Sequence, residues 1–336
     1  MRAAIFGLGG TELSPREYAF FRRADPWAFI LFARNVADPE QLRRLTQDLR
    51  ACVGRNCLVF IDQEGGRVQR LRPPHWRDYP SGADYLDVYR RDARAGLRAV
   101  WLGHRLIAHD LCESGIDASC APVLDIPRAG ADPIIGDRAL GHDPDTVVAL
   151  ANAAMAGLSA GGCATVVKHI PGHGRADVDS HLALPVIRAN DLSDDTAPFQ
   201  ALSDAAMAMT AHAIYASEDA ERPATLSPTL IQNLIRRRIG FDGLLMTDDL
   251  DMKALSGAPG ALARDAIAAG CDVVLQCSGD MDTMEAIARE VPQLSGKALE
   301  RARIAEWSRG RAEKLDVEAA RAEFEALVPS RLAAAA

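Results

Sequence analysis

The sequence predicts an α/β chain folded as one (β/α)8 barrel of the TIM type, and three observations lead there. Short apolar segments recur along the 336 residues, each is followed by a stretch with helical signals, and there are eight of them. They lie at 3–8, 29–33, 58–61, 118–124, 164–167, 206–210, 244–247 and 272–276. These are continuous apolar runs rather than alternating ones, as strands covered on both faces require. A prior of roughly 150 residues per domain also allows two domains, and a doubly wound open sheet has the same periodicity. Eight alternations with no obvious linker between them favour the barrel. Residues 1–296 are assigned to it, and residues 297–336 to a charged, Ala-rich helical extension with a frayed tail at 333–336.

The helices between the strands carry readable starts and stops. Ser14-Pro15-Arg16-Glu17 places Ser at the cap, Pro at the first helical position and Glu where it closes a capping box. Asp38-Pro39 and Ser227-Pro228 repeat the cap-then-proline pattern. Leu42, Leu45, Leu49 and Val53 share one helical face, with Gly54 as the stop, and 227–239 reads the same way up to Gly240.

Composition narrows the function classes. With 48% hydrophobic and 25% charged residues the chain is neither disordered nor a coiled coil. A net charge of -8 argues against a surface that neutralises phosphates, so no nucleic-acid partner is expected. The seven cysteines form no Cys-x-x-Cys pair. Cys57, Cys120, Cys163, Cys271 and Cys277 sit in or beside apolar runs, which suggests free thiols in a reducing compartment. The N-terminal apolar run is too short for a signal peptide, and no stretch approaches the roughly 20 apolar residues of a membrane span. A cytoplasmic protein with no membrane partner is the expectation.

In a barrel the chemistry sits at the carboxyl ends of the strands. Those ends carry Arg34-Asn35, Asp62-Gln63-Glu64, Asp125, Lys168-His169, His212 and Asp248-Asp249. Any one of them is explained as a cap or a surface charge. Ionisable groups at six strand ends on one rim point instead to a single polar pocket. Asp248 and Asp249 are neighbours in an extended chain, so one aims into the mouth and the other braces; the pattern leaves open which. Gly7-Leu8-Gly9-Gly10 lacks the third glycine of a cofactor loop and reads as a strand-ending turn.

The loop from Pro171 to His181, after the fifth strand, is rich in Gly and His and reads as a long excursion over the mouth. Two chemistries compete for it. His169, His173 and His181, with Asp177 and Asp179, are usual metal-ligand types, and a metal-dependent hydrolase would use the three histidines. No metal-binding motif accompanies them, so no metal or cofactor is expected. Alternatively Asp179 orients His181 and stabilises its charged form, making the imidazole a proton shuttle. A Ser-His-Asp hydrolase fits poorly, because adjacent loop residues rarely provide triad geometry.

Taken together, Lys168-His169-Ile170-Pro171-Gly172-His173-Gly174, Asp179-Ser180-His181 and Thr247-Asp248-Asp249-Leu250-Asp251-Met252 resemble the family 3 glycoside hydrolases. Within them the similarity is to the bacterial β-N-acetylhexosaminidases of peptidoglycan recycling. Ile30-Leu31-Phe32-Ala33-Arg34-Asn35 and Ile61-Asp62-Gln63-Glu64-Gly65-Gly66-Arg67-Val68-Gln69-Arg70 add to it. The likeness runs from about Ile5 to Gly279. It implies Asp248 as nucleophile, His181 as general acid/base with Asp179 as its partner, and Asp62, Arg70, Arg138, Lys168 and His169 as sugar-binding residues. Ile170 stands where Phe is common, and Arg138-Ala139-Leu140 where Arg-Ser-aromatic is more usual.

The implied reaction is retaining removal of N-acetylglucosamine from 1,6-anhydro-N-acetylmuramic acid, with or without its peptide. Such cleavage needs an anion beneath the anomeric carbon and a proton donor at the leaving oxygen. Longer family 3 β-glucosidases resemble the same barrel plus a second domain that supplies a Glu acid. Too few residues follow the eighth strand here for that domain, so the acid is expected from the barrel. A catalytically silent sugar-binding barrel is the remaining alternative.

Overall fold

The computed structural model, which describes residues 1–328, contains all eight expected strands. They are β1 (Arg2–Phe6), β2 (Pro26–Leu31), β3 (Val59–Ile61), β4 (Ala118–Ser119), β5 (Ala164–Thr165, resuming as Val167–Ile170), β6 (Met207–Thr210), β7 (Leu244–Asp249) and β8 (Val273–Gln276). Each pairs in parallel with its neighbours in sequence, and β8 pairs in parallel with β1. The two segments of β5 lie at opposite ends of the sheet order, one against β4 and the other against β6. One strand at both ends means that the sheet closes on itself as a barrel.

The helix signals work as read. Ser14 and Glu17 form the reciprocal capping box of the helix Pro15–Ala24, Asp38 caps Pro39–Val53, and Gly54 ends it in the left-handed region. The Ser227 hydroxyl accepts from the Leu230 N–H at the start of Leu230–Ile239. Strand four departs from its expected span of 118–124, because only two residues join the regular ladder. Pro122 has no N–H to donate, yet its carbonyl accepts from the Lys168 N–H (3.2 Å) and the Leu124 N–H donates to the Lys168 carbonyl (2.7 Å). The tail expected at 333–336 lies outside the described residues.

The interior shows the alternation that the apolar runs concealed. One buried cluster takes alternate residues from every strand: Ala3 and Ile5, Ala28 and Ile30, Leu58 and Phe60, Ala118 and Cys120, Ala164 and Val166, Met207 and Met209, Leu244 and Met246, Val273 and Leu275. The intervening residues, such as Phe6, Phe29, Leu31, Val59, Ile61, Ala208, Leu245 and Val274, join a second cluster with the helices. A side-chain period of two on strands buried on both faces produces this split. Each fully buried large aliphatic contributes roughly 1.5–3 kcal/mol. The helix Gly296–Trp307 adds Ala302 and Ala305 to the inner cluster, and Glu306 accepts from the Trp27 indole N–H (2.9 Å). That closes one end of the barrel and leaves the pocket to the other.

Candidate active site

Continuing the inward ladder by two residues gives Phe32, Asp62, Lys168, Asp248 and Cys277, and all five line a cavity of about 310 Å³ at the carboxyl ends of the strands. Arg70, Arg138, His169 and His181 line it as well. Seven of the eight residues expected from the sequence therefore meet in one pocket. The eighth, Asp179, braces His181 from beside it, its Oδ1 accepting from both the ring Nδ1 and the backbone N–H of His181 at 2.8 Å.

The pocket floor is a chain of paired charges. Asp62 accepts from Arg70 (2.9 Å) and from the Lys168 Nζ (3.1 Å), and Lys168 also lies 2.6 Å from Glu64. Arg138 grips Glu64 with two parallel hydrogen bonds of 2.9 and 2.8 Å. Burial alone would raise the two carboxyls. The Lys168 ammonium and the Arg70 guanidinium outweigh it and hold Asp62 well below the usual range. Arg138 and Lys168 likewise hold Glu64 at about 2. Burial would lower Lys168, yet Asp62 and Glu64 raise it above its ordinary value. The floor is thus fully ionised around neutral pH.

Glu64, noted at the rim but given no role by sequence reasoning, joins Lys168 to Arg138. The available signal was its spacing of two from Asp62, since alternate residues of extended chain share a face. Asp125 is the second omission, noted at the rim but given no role. Its side chain is wholly buried, its Oδ2 accepts from the His169 Nδ1 (2.6 Å) and its Oδ1 accepts from the His173 backbone N–H (2.7 Å). Against burial, which would raise it, His169 holds this carboxyl at about 2. Because Nδ1 donates to Asp125, Nε2 is the nitrogen that His169 offers to the pocket.

Asp248 and Asp249 part ways as strand geometry requires. Asp248 follows Met246 on the inward face and accepts from the Asp249 backbone N–H (2.8 Å). Burial would raise its carboxyl, but His169, His212, that N–H and Lys168 lower it below the ordinary value. Asp249 lies at the pocket edge and braces the next strand, accepting from the Cys277 N–H (3.0 Å) and the Asp251 N–H (3.2 Å). Burial and the nearby Asp251 push it up to about 7.

Other rim residues serve the frame. Arg34 donates to the Leu8 and Cys277 carbonyls, and the Asn35 side-chain amide donates to Leu8 and Gly10. These contacts fasten the turn after β1, where a Cβ on Gly7 would lie 2.3 Å from the Cys277 carbonyl oxygen. His212 is buried between the Thr225 hydroxyl (2.7 Å) and the Asp249 carbonyl (3.0 Å), and burial lowers its pKa.

The loop is divided. Pro171–Gly174 and Ala176 are buried, whereas His181 and Leu182 are exposed, so the excursion expected from Pro171 begins only after Ala176. The metal reading of its histidines does not find its geometry. His173 is buried, neither of its ring nitrogens has a hydrogen-bond partner among the described residues, and burial lowers it to about 4. Among the described residues no group of three or more His, Cys, Asp or Glu is placed to hold a metal ion. No described helix is long and apolar enough to cross a membrane.

Comparison with known proteins bears on this arrangement. Residues 27–308 match the glycosyl hydrolase family 3 N terminal domain. The chain is 41% identical over 297 residues to a beta-hexosaminidase of Alkalilimnicola ehrlichii, covering 86% of this chain and 84% of that one. It is 40% identical over 281 residues to the beta-hexosaminidase of Methylococcus capsulatus, covering 82% of each. Among solved structures, NagZ from Neisseria gonorrhoeae in complex with N-trifluoroacetyl-D-glucosamine superposes with a TM-score of 0.86 at 31% identity, over 97% of this chain and 98% of that one.

Proposed function

Since the chain belongs to glycosyl hydrolase family 3 and is a glycoside hydrolase of the β-N-acetylhexosaminidase type, we propose that it is a retaining exo-β-N-acetylglucosaminidase. The observation that carries this reading is one pocket lined by both a half-buried carboxylate held below its ordinary pKa, Asp248, and an imidazole braced by a carboxylate, His181 with Asp179. The first suits attack on an anomeric carbon, and the second suits proton transfer at the leaving oxygen.

In the first step an Asp248 oxygen bonds to the anomeric carbon as the glycosidic bond breaks. The leaving oxygen takes the proton from His181 Nε2, the nitrogen that Asp179 leaves free. Asp179 accepts from Nδ1–H and stabilises the imidazolium from which that proton is given. In the second step His181 Nε2 takes a proton from water as its oxygen displaces Asp248. Asp62, Arg70, Arg138, Lys168 and His169 hold the sugar hydroxyls. Their charges are already matched on the floor, so the sugar meets a preorganised polar surface.

The substrate in this reading is N-acetylglucosaminyl-1,6-anhydro-N-acetylmuramic acid, with or without its stem peptide, met in the cytoplasm during cell-wall recycling. Neither a metal nor a cofactor takes part. Trapping with a 5-fluoro glycosyl donor, followed by peptide mass mapping, tests the central step. Label on Asp248 is the expected result, and label on any other residue overturns it.

A further inference from the structure

The strand that carries Asp248 leaves its regular register before it gets there. β7 pairs with β6 as far as Met246, and its register with β8 shifts between Met246 and Asp249. Past that point side chains brace the strand. On the β8 side, Thr247 Oγ1 accepts from the Leu275 N–H (2.9 Å) and Asp249 Oδ1 accepts from the Cys277 N–H (3.0 Å). On the other side His212, just beyond the end of β6, reaches across and places its Nε2 3.0 Å from the Asp249 carbonyl oxygen.

Chemistry fixes the direction of every hydrogen bond in this bridge. A carbonyl oxygen only accepts, so Nε2 carries the ring hydrogen. Burial lowers the pKa of His212, although the Asp248 charge works the other way, so the ring is neutral and its Nδ1 accepts. The Thr225 hydroxyl, 2.7 Å away, therefore donates to Nδ1 and accepts in turn from the Thr210 hydroxyl at 2.8 Å. Thr210, Thr225 and His212 are all buried. Donors aligned one way through a buried site polarise one another and hold their orientation. The chain ends on Asp249, the residue whose backbone N–H donates to the Asp248 carboxylate (2.8 Å).

We propose that His212 is a positioning residue for the nucleophile: seated by Thr210 and Thr225, its Nε2–H pins the Asp249 carbonyl. With its side chain held from β8 and its carbonyl held by His212, Asp249 keeps its N–H aimed at the Asp248 carboxylate and so fixes the direction of attack. The proposal rests on the reading that Asp248 is the nucleophile. His212 itself lies behind the pocket rather than in its wall.

Two substitutions separate the halves of the bridge. A glutamine amide extends to the place of Nε2, an asparagine amide only to that of Nδ1. His212→Gln therefore keeps a donor for the Asp249 carbonyl, while the Thr225 hydroxyl turns to the Ala211 carbonyl, 3.3 Å away. His212→Asn keeps the Thr225 bond and loses the one to Asp249. The rate at which a 5-fluoro glycosyl donor labels Asp248 should fall about 10- to 100-fold in His212→Asn, the scale set by a displacement of about 1 Å at the reacting atoms. In His212→Gln it should recover to within about threefold of wild type, and the calorimetric Kd for free N-acetylglucosamine should stay within about twofold in both. Thr225→Val unseats the ring without altering it and should slow labelling about 3- to 10-fold; it decides the matter if His212→Asn does not fold. Equal losses in the two amide variants overturn the proposal, as does an unchanged labelling rate in His212→Asn or Thr225→Val. A Kd that rises in step with the loss of rate overturns it too. Label on a residue other than Asp248 in the wild type removes the nucleophile reading itself, whereas label on Asp248 at the wild-type rate in His212→Asn removes this inference alone.

Discussion

The floor of the pocket and the loop beside it are built on opposite principles. On the floor, the Lys168 side chain is 3% exposed, and each carboxylate already has its cation. In the loop, the His181 side chain is 61% exposed and leans on one aspartate. A group that must recognise a fixed sugar ring gains from rigidity, because its orientation is settled before binding. A group that must reach the leaving oxygen and then serve water gains from standing outside the packed frame. The difference implies that the two regions fail in different ways when altered.

The largest expected effect falls on the loop. His181→Ala should lower kcat/KM by about 10²- to 10⁴-fold on substrates with poor leaving groups, the usual range for general acid catalysis, and far less on activated aryl glycosides. Its Tm should stay within about 1 °C of wild type, because an exposed loop side chain contributes little to stability. Steady-state kinetics across a leaving-group series, with a thermal melt, checks both halves. Equal losses on all substrates would remove the acid role. A clear drop in Tm would place the loop within the stable frame and dissolve the contrast.

Lys168→Met tests the other side. It leaves Asp62 and Glu64 sharing fewer cations in a buried setting. Breaking such a pair typically costs 3–5 kcal/mol, so with Arg70 and Arg138 still present about 2–4 kcal/mol is expected. At roughly 2–4 °C per kcal/mol, Tm should fall by about 4–16 °C. Urea unfolding measures this directly, and KM on any N-acetylglucosaminide should rise irrespective of leaving group. A variant as stable as wild type would mean that the floor is no more rigidly built than the loop.

How much of this was legible follows from the same physics. The barrel could be read because eight two-sided strands leave eight apolar runs, and caps such as Ser14 and Asp38 mark the helices between them. What the runs hide is parity. A strand apolar on both faces carries no alternation, so nothing in 244–247 says whether Met246 or Leu245 turns inward. For that reason the choice between Asp248 and Asp249 stayed open until the resemblance, and then the inward ladder, spoke to it. Glu64 and Asp125 were missed for a related reason. Each acts on another site residue, Glu64 on Lys168 and Arg138, Asp125 on His169, across separations of 44 or more positions in the chain. Only tertiary structure brings such partners together. The loop's buried first half was equally hidden, because its Gly and Pro read as solvent-facing while Tyr215 donates to the Gly172 carbonyl and Arg175 pairs with Asp195.

The smallest effect lies where the two aspartates of β7 meet, one residue apart. Asp248 is lowered and Asp249 is raised to about 7, so a single step along the strand separates a carboxylate held ionised from one that gives up its proton only as pH passes through neutrality. An unfolded aspartate titrates near 3.9. A carboxyl whose folded value is raised above that contributes stability that is fully present below about pH 4 and is lost as pH rises through about 7. Asp249→Asn retains a side-chain oxygen for the Cys277 and Asp251 N–H groups but cannot ionise. The variant should therefore gain Tm relative to wild type at pH 8, by about 1–4 °C, and gain little or nothing at pH 4. Thermal melts at the two pH values measure the difference. A gain of equal size at both would mean that Asp249 is ionised throughout, and the step along β7 would separate nothing.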